Sequence, residues 1–332
     1  MSYRTIGKSQ LKLSAITFGA WAVGGWMWGG ADTNDAIEAM KAVYDHGITS
    51  IDTAPAYGQG DSEKLVGEAI TGIPRDKVQI MTKFGMRWDL PGFKGAVHSL
   101  SKDNNGNEIR TVKFAGKESV IYEAEQSLKR LKTDYIDLYQ IHWPDENTPM
   151  DETFEAVIRL KEQGKIIEAG VSNYNAVQTA EANDLINLVS NQVSYSVLRR
   201  EIEDELIPYA LKNNISIIAY SPLERGLLTG KITPGYQFNE GDHRATRSWF
   251  LGDNLVQVNH FLDQIRPIAA DKNVTLAQLL LRWTIDQPGI AVALAGARNA
   301  KQAIENAAAM QLILSDHELD QIKLAAEEVK LT

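Results

Sequence analysis

The sequence predicts an α/β chain built as a (β/α)8 barrel, with an N-terminal β-hairpin and extra C-terminal helices. Three observations lead there. Short apolar runs of strand character alternate with longer segments of helical periodicity, and eight such runs are each followed by a helix. That count favours a closed barrel of the TIM type over a doubly wound open sheet. The run Ile215, Ile217, Ile218, Ala219 is too short for a helix and rich in β-branched residues, as a buried parallel strand is. No linker or low-complexity tract divides the 332 residues, so one barrel domain over 1–332 is expected, although length alone would allow two domains.

The elements follow in order. Residues 3–14 read as a hairpin turning near Gly7 and Lys8, then strand 15–19, helix 34–46, strand 50–52 and helix 62–71. Strand 79–83, helix 119–131, strand 135–141 and helix 150–163 come next. In 119–131 the apolar residues Ile121, Ala124, Leu128 and Leu131 recur at helical spacing, with Ser119 as the expected N-cap. Strand 167–172, helix 175–183, strand 190–193, helix 203–213 and strand 215–220 continue the alternation. Helices 257–271 and 275–286, strand 290–294, helix 301–310 and a last helix over about 315–330 complete it. Two connections are long, 84–118 and 221–256, and both leave the C-terminal ends of strands, where such barrels place their active sites.

Composition excludes several classes of function. Lys and Arg number 34 against 43 Asp and Glu, a net charge of −9, which disfavours nucleic acid and anionic membrane partners. The absence of cysteine removes disulfides, thiolate metal sites and a Cys nucleophile together. Six scattered histidines show no ligand spacing, so no metal is expected. The N-terminus lacks the apolar stretch of a signal peptide and no run is long enough to span a bilayer, so the expected location is cytoplasmic. There is no G-x-G-x-x-G; the nearest stretch, Gly58 to Glu63, fails at its last position, and Gly226 to Lys231 is one residue short of a P-loop.

Four polar residues stand at or just beyond successive strand ends. Asp52 ends the second strand, Tyr57 follows in the next loop, Lys83 ends the third and His142 the fourth. Neighbouring parallel strands lie ~4.8 Å apart, so these ends bring the four to one rim. The set suits carbonyl reduction, which needs a hydride and a proton. A tyrosine supplies the proton, and a lysine ammonium beside it is expected to lower its pKa toward working pH. Asp52 would hold the lysine charged, and His142 would orient the substrate oxygen. Each residue alone has a structural reading; the four in barrel order favour the chemical one.

These motifs resemble the aldo-keto reductase superfamily. The resemblance rests on Asp52-Thr53-Ala54 with Tyr57-Gly58, Ser62-Glu63 and Gly67, on Lys83, and on the run from Leu131 through Thr133-Asp134-Tyr135-Ile136-Asp137-Leu138 to Ile141-His142. Gly164-Lys165-Ile166 and Gly170-Val171-Ser172-Asn173 are similar too. Ala20 to Gly25 and Trp28-Gly29-Gly30 favour the bacterial branch of general-stress, inositol-operon and glyceraldehyde reductases. The likeness implies an NADP(H) site without a Rossmann fold. By carry-over Ser172, Asn173 and Gln192 would bind the nicotinamide amide, and Tyr220 would stack on its ring, with Ala20 and Trp21 nearby. Ser221, Pro222, Leu223, Gly226 and Lys231 would follow the pyrophosphate, and Gly296, Arg298, Gln302 and Asn306 the adenosine end. Arg298, with Arg244 as a second candidate, would read a 2′-phosphate.

The expected substrate is a small carbonyl or alcohol. Trp21, Trp26, Trp28, Trp88 and Trp143 fall in the loops that would wall the pocket, and no arginine pair for an acidic substrate stands out, so small uncharged aldehydes are expected. Two other readings compete. A regulatory subunit of the potassium-channel β type would share the barrel and cofactor site but act by binding a partner. A barrel aldolase would use Lys83 as a Schiff base, which the neighbouring Asp52 disfavours by keeping the lysine charged.

Overall fold

The computed structural model describes residues 2–25, 28, 32–90, 92–93, 97–103 and 106–332. The chain opens with strands β1 (Tyr3–Thr5) and β2 (Lys12–Ser14), an antiparallel hairpin with Tyr3 opposite Ser14. Its turn needs a glycine. Gly7 has φ 54°, and a Cβ there would sit 2.4 Å from the Val189 carbonyl oxygen, just ahead of a barrel strand. The hairpin therefore closes the N-terminal end of the barrel, burying Ile6 and Leu13 against Met81, Leu138, Ile218 and Val292.

The barrel units follow. They begin with β3 (Ile16–Gly19), α1 (Thr33–Asp45), β4 (Ser50–Asp52), α2 (Asp61–Ala69) and β5 (Gln79–Phe84). A small sheet is inserted next: β6 (Met86–Arg87), β7 (Val97–Lys102) and β8 (Glu108–Lys113). Then come α3 (Lys117–Leu131), β9 (Ile136–Ile141), α4 (Met150–Glu162), β10 (Ile166–Ser172), α5 (Ala176–Leu185) and β11 (Ser190–Ser194). The chain ends with α6 (Leu206–Asn213), β12 (Ser216–Tyr220), α7 (Gly252–Asp271), α8 (Leu276–Ile285), β13 (Ile290–Ala295), α9 (Ala300–Ala308) and α10 (Asp316–Glu327).

Strands β3, β4, β5, β9, β10, β11, β12 and β13 pair in that order, all parallel, and β13 returns to β3. This is the eight-stranded barrel the alternation predicted, with the helices outside. Register levels the functional ends: Gly19 stands opposite Asp52, Lys83 opposite Gln140, and Ser172 opposite Gln192. Helix starts are fixed locally by capping boxes at Asn175 with Gln178, Thr275 with Gln278, and Ser315 with Glu318.

Three differences from the sequence reading have physical causes. The connection 84–118 is not a bare loop, because β6, β8 and β7 form an antiparallel sheet in that order. Ser119 is not the N-cap of α3, which starts two residues earlier after Gly116; the Ser119 hydroxyl instead donates to Glu123 at 3.0 Å. Helix α7 begins at Gly252 rather than 257, against the weak helix preference of Gly, Asp and Asn. Tertiary bonds override that preference: Asn254 donates to the Thr332 carbonyl at 2.7 Å and accepts from the Thr332 N–H at 3.0 Å. Among the described residues no helix is long and apolar enough to cross a membrane.

Candidate active site

The C-terminal ends of the barrel strands frame a cavity of about 600 Å3. At its inner end lies a chain of hydrogen bonds. The Lys83 ammonium donates to Asp52 Oδ1 at 2.7 Å, to the Thr53 carbonyl at 3.0 Å and to Tyr57 Oη at 3.3 Å. An ammonium has three N–H donors, and these contacts use all three. The Lys83 and Asp52 side chains are only 1% and 3% exposed, so the pair is fully removed from water. Tyr57 is half-buried, on a β4–α2 loop pinned by Thr53 Oγ1 to Ser62 Oγ at 2.8 Å and by Ser62 Oγ to the Ala20 carbonyl at 2.8 Å.

Burial pushes the Asp52 carboxyl up and the Lys83 ammonium down, each resisted by the other's charge. Burial first, and the Asp52 charge second, hold the Tyr57 phenol well above its ordinary value. The lysine was expected to lower it. The carboxylate at 2.7 Å cancels much of the ammonium's field at the phenol, so desolvation prevails. Tyr57 therefore keeps its proton, the state an acid requires.

His142 follows directly on β9, its N–H donating to the Phe84 carbonyl at 2.9 Å. Its ring meets Tyr57 edge-on, 5.7 Å between centroids and 81° between planes. Burial, then the charge of Lys83, holds the imidazole well below its ordinary pKa, so it is neutral. A neutral ring keeps one N–H donor. Tyr57 and His142 both line the cavity.

The residues carried over for the cofactor occupy the same cavity, with one exception. Asn173 Nδ2 donates to the His142 carbonyl at 2.9 Å and its Oδ1 accepts from the Tyr220 hydroxyl at 2.8 Å. Ser172 Oγ donates to the Gln192 carbonyl at 2.7 Å. The Gln192 amide, expected at a nicotinamide, donates instead to Asp52 Oδ2 at 2.7 Å, so the carboxylate is held from both sides. Ser221, Pro222, Leu223, Gly226 and Lys231 line the middle of the wall, and Gly296, Gln302 and Asn306 its far part. Gln302 accepts from the Arg298 N–H at 2.9 Å, and Asn306 donates to the Gly296 carbonyl at 3.1 Å. Arg244 and Arg298 flank the Trp28 ring, their guanidinium carbons 5.0 and 5.6 Å from its centre. Ala20 is the exception: it is fully buried, its N–H donating to the Asp52 carbonyl at 2.8 Å, and it is not on the cavity wall.

Of the tryptophans, Trp21, Trp28 and Trp143 line the cavity. Trp88 does not; it follows β6 and stands half-buried outside the wall. Trp26, with Gly29 and Gly30, falls outside the described residues. The sequence reading missed Met86, His98 and Ser99, which the β6–β8–β7 sheet brings to the wall. A signal for that sheet was present: Asn105-Gly106 lies between two short alternating runs, the strongest local mark of a hairpin. Arg225 and Arg247 were missed too, so the wall does carry a further pair of arginines. Among the described residues no three His, Asp or Glu side chains gather as a metal site would.

A closed parallel barrel with a buried lysine–carboxylate pair, a tyrosine and a histidine at its C-terminal mouth defines a class of carbonyl oxidoreductase. The comparisons agree with that class. The model of the aldo/keto reductase family matches residues 15–327, and the chain belongs to that family, whose enzymes use a nicotinamide cofactor on carbonyl compounds. It is 39% identical over 304 residues to the aldo-keto reductase YhdN of Bacillus subtilis (strain 168), covering 91% of this chain and 86% of that protein. It is 36% identical over 330 residues to the NADH-specific methylglyoxal reductase of Escherichia coli (strain K12), covering 98% of each. The solved structure of the glycerol dehydrogenase AKR11B4 from Gluconobacter oxydans has a TM-score of 0.87 at 32% identity, covering 98% of this chain and 95% of that one.

Proposed function

We propose that this chain is an NADP(H)-dependent reductase of small carbonyl compounds, with Tyr57 as proton donor. The observation that carries the reading is the Lys83 ammonium bridging Asp52 and Tyr57 beside a neutral His142 at the inner end of the cavity. The nicotinamide cofactor, when bound, supplies the hydride that reaches the carbonyl carbon. The protein supplies the rest. His142 and Tyr57 donate hydrogen bonds to the carbonyl oxygen and orient it. As charge grows on that oxygen, the Tyr57 proton passes to it, and the phenolate left behind faces the Lys83 ammonium at 3.3 Å. Asp52, gripped by Lys83 and Gln192, holds the ammonium in place. Solvent returns the proton to Tyr57 after the alcohol leaves.

One relative is NADH-specific, so cofactor choice is read from this chain's own cations. Arg298 gives one N–H to the Trp28 carbonyl at 2.9 Å, and burial and the nearby Arg244 charge both press against its cation. Arg244 is gripped by Asp242 through Nε to Oδ1 at 3.0 Å and Nη2 to Oδ2 at 2.6 Å. That leaves Arg298 as the cation with donors to give. A 2′-phosphate suits it, since a guanidinium pairs well with phosphate oxygens. Ser172, Asn173 and Tyr220 would hold the nicotinamide end and Gln302 with Asn306 the adenosine end. The test is a panel of small aldehydes, sugars and ketones with NADPH and with NADH, followed at the absorbance of the reduced nicotinamide. Faster turnover with NADPH supports the reading, and no turnover with either cofactor defeats it.

A further inference from the structure

Arg225 and Arg247 have no part in the proton transfer or in the 2′-phosphate reading. Arg225 lies in the single-turn segment Glu224–Thr229 after β12. Three consecutive residues there are left-handed: Glu224 at φ 43°, Arg225 at 56° and Gly226 at 91°. Residues with a Cβ rarely adopt that backbone, and its effect here is to send neighbouring side chains apart. Glu224 turns inward, accepting from Ser196 Oγ at 2.6 Å and lying 3.5 Å from Arg199 Nε. Its charge is thus engaged away from the cavity. Arg225 turns to the cavity wall, its guanidinium carbon 5.6 Å from the centre of the Trp21 ring. The other side of that comparison is Tyr57, whose ring centre is 6.2 Å from that of Trp21.

Arg247 lines the same cavity nearer solvent. Among the described residues neither guanidinium has a hydrogen-bond or ion-pair partner, and the Arg225 Nε is buried without one. Burial, then the charge of Arg247, presses against the Arg225 cation. The contrast with Arg244 in the same loop is direct, because Arg244 has Asp242 as a bidentate partner. Cations are also sorted along the cavity by tryptophan: Arg244 and Arg298 share Trp28, whereas Arg225 shares Trp21 with Tyr57. Two cations on one wall with no carboxylate between them form a site that an anion completes.

We infer that Arg225, with Arg247 toward the mouth, is an anion subsite for the carbonyl substrate, so that the favoured substrates are short aldehydes or ketones bearing a phosphate or carboxylate a few carbons from the reacting carbon. This rests on the reading of Tyr57, Lys83, Asp52 and His142 as a carbonyl-reducing group. It replaces the expectation of uncharged substrates. A three-carbon chain held at its carbonyl by Tyr57 and His142 extends past Trp21 and presents its terminal anion to Arg225. The pyrophosphate of the cofactor has the same chemistry, and the test separates the two sources.

The matched probes are glyceraldehyde and glyceraldehyde 3-phosphate, each assayed with saturating NADPH. The readout is the ratio of kcat/KM for the phosphorylated to the plain aldehyde, measured in the wild type, Arg225→Gln and Arg225→Lys. The wild type should favour the phosphorylated aldehyde. Loss of a charge-assisted bond to the guanidinium should cut the ratio by about 10–100-fold in Arg225→Gln. Arg225→Lys, which keeps the charge but loses the fork, should recover part of it. A wild-type ratio near unity overturns the subsite. So does an unchanged ratio in Arg225→Gln combined with weaker NADPH binding by tryptophan quenching, which would assign the arginine to the cofactor's pyrophosphate. If plain glyceraldehyde itself is not reduced by the wild type, the carbonyl-reductase reading fails and the subsite falls with it.

Discussion

Replacing Asp52 by Asn tests the buried pair from the side of stability. The substitution keeps the shape and the hydrogen bond from Gln192 but removes the charge facing Lys83. Lys83 would then lie fully buried with only the Thr53 carbonyl and Tyr57 hydroxyl as partners. Leaving one member of a buried ion pair alone costs about 3–5 kcal/mol. At about 2.1 cal/mol/K per residue, a chain of 332 residues unfolds with an entropy near 0.7 kcal/mol/K, so Tm should fall by about 4–7 °C at neutral pH. The cost should also depend on pH. Burial lowers the Lys83 pKa, and in the variant the largest opposing influence, Asp52, is gone. The folded lysine then sheds its proton below the unfolded value of 10.5. The unfolded state binds more protons in that window, so the variant's stability rises with pH until the unfolded lysine also titrates. Thermal unfolding of both proteins from neutral to alkaline pH measures this. A variant that melts with the wild type at every pH would refute the idea that Asp52 is what keeps a buried lysine charged.

Other outcomes follow from the same geometry. With Tyr57 held above 10.0 and His142 below 6.5, kcat/KM for aldehyde reduction should show no inflection from either group between those values; an acid limb near 6.5 that disappears in a His142 variant would show the imidazole charged. Arg298→Ala should weaken NADPH binding by about 10–150-fold and leave NADH nearly unchanged, whereas equal losses would show that Arg298 does not read the 2′-phosphate. Trp21, Trp143 and His98 narrow the inner cavity, so small aldehydes should exceed any steroid ketone in kcat/KM; the reverse order would mean the wall opens in solution.

Much of this was legible in the sequence because the signals are local. The barrel strands are short apolar runs, and Asp52, Lys83 and His142 stand at or just past strand ends, so strand order alone brought them together. The bond between Gln192 and Asp52 was not legible, since it crosses the barrel interior between residues 140 apart in sequence. Nor was the direction of the Tyr57 shift, which depends on how closely the carboxylate cancels the lysine. Arg225 was hidden for a backbone reason. A left-handed arginine between a left-handed glutamate and a glycine leaves no mark in hydrophobic periodicity, and its place beside Trp21 depends on two loops about 200 residues apart meeting over the barrel. Trp88 misled in the opposite sense: its place after the third barrel strand suggested the pocket, but the inserted sheet puts Met86, His98 and Ser99 on that wall.

The most direct test of the proposed chemistry is Tyr57→Phe, which removes one hydroxyl and keeps the ring that packs against Trp21 and His142. The measurement is kcat for a small aldehyde with NADPH, beside the NADPH dissociation constant and the melting temperature of the same variant. The expected result is a fall in kcat of about 10²–10⁴-fold, the usual worth of a general acid, with cofactor binding and fold retained. A fall of less than about tenfold in a folded, cofactor-binding variant would contradict the assignment of Tyr57 as the proton donor.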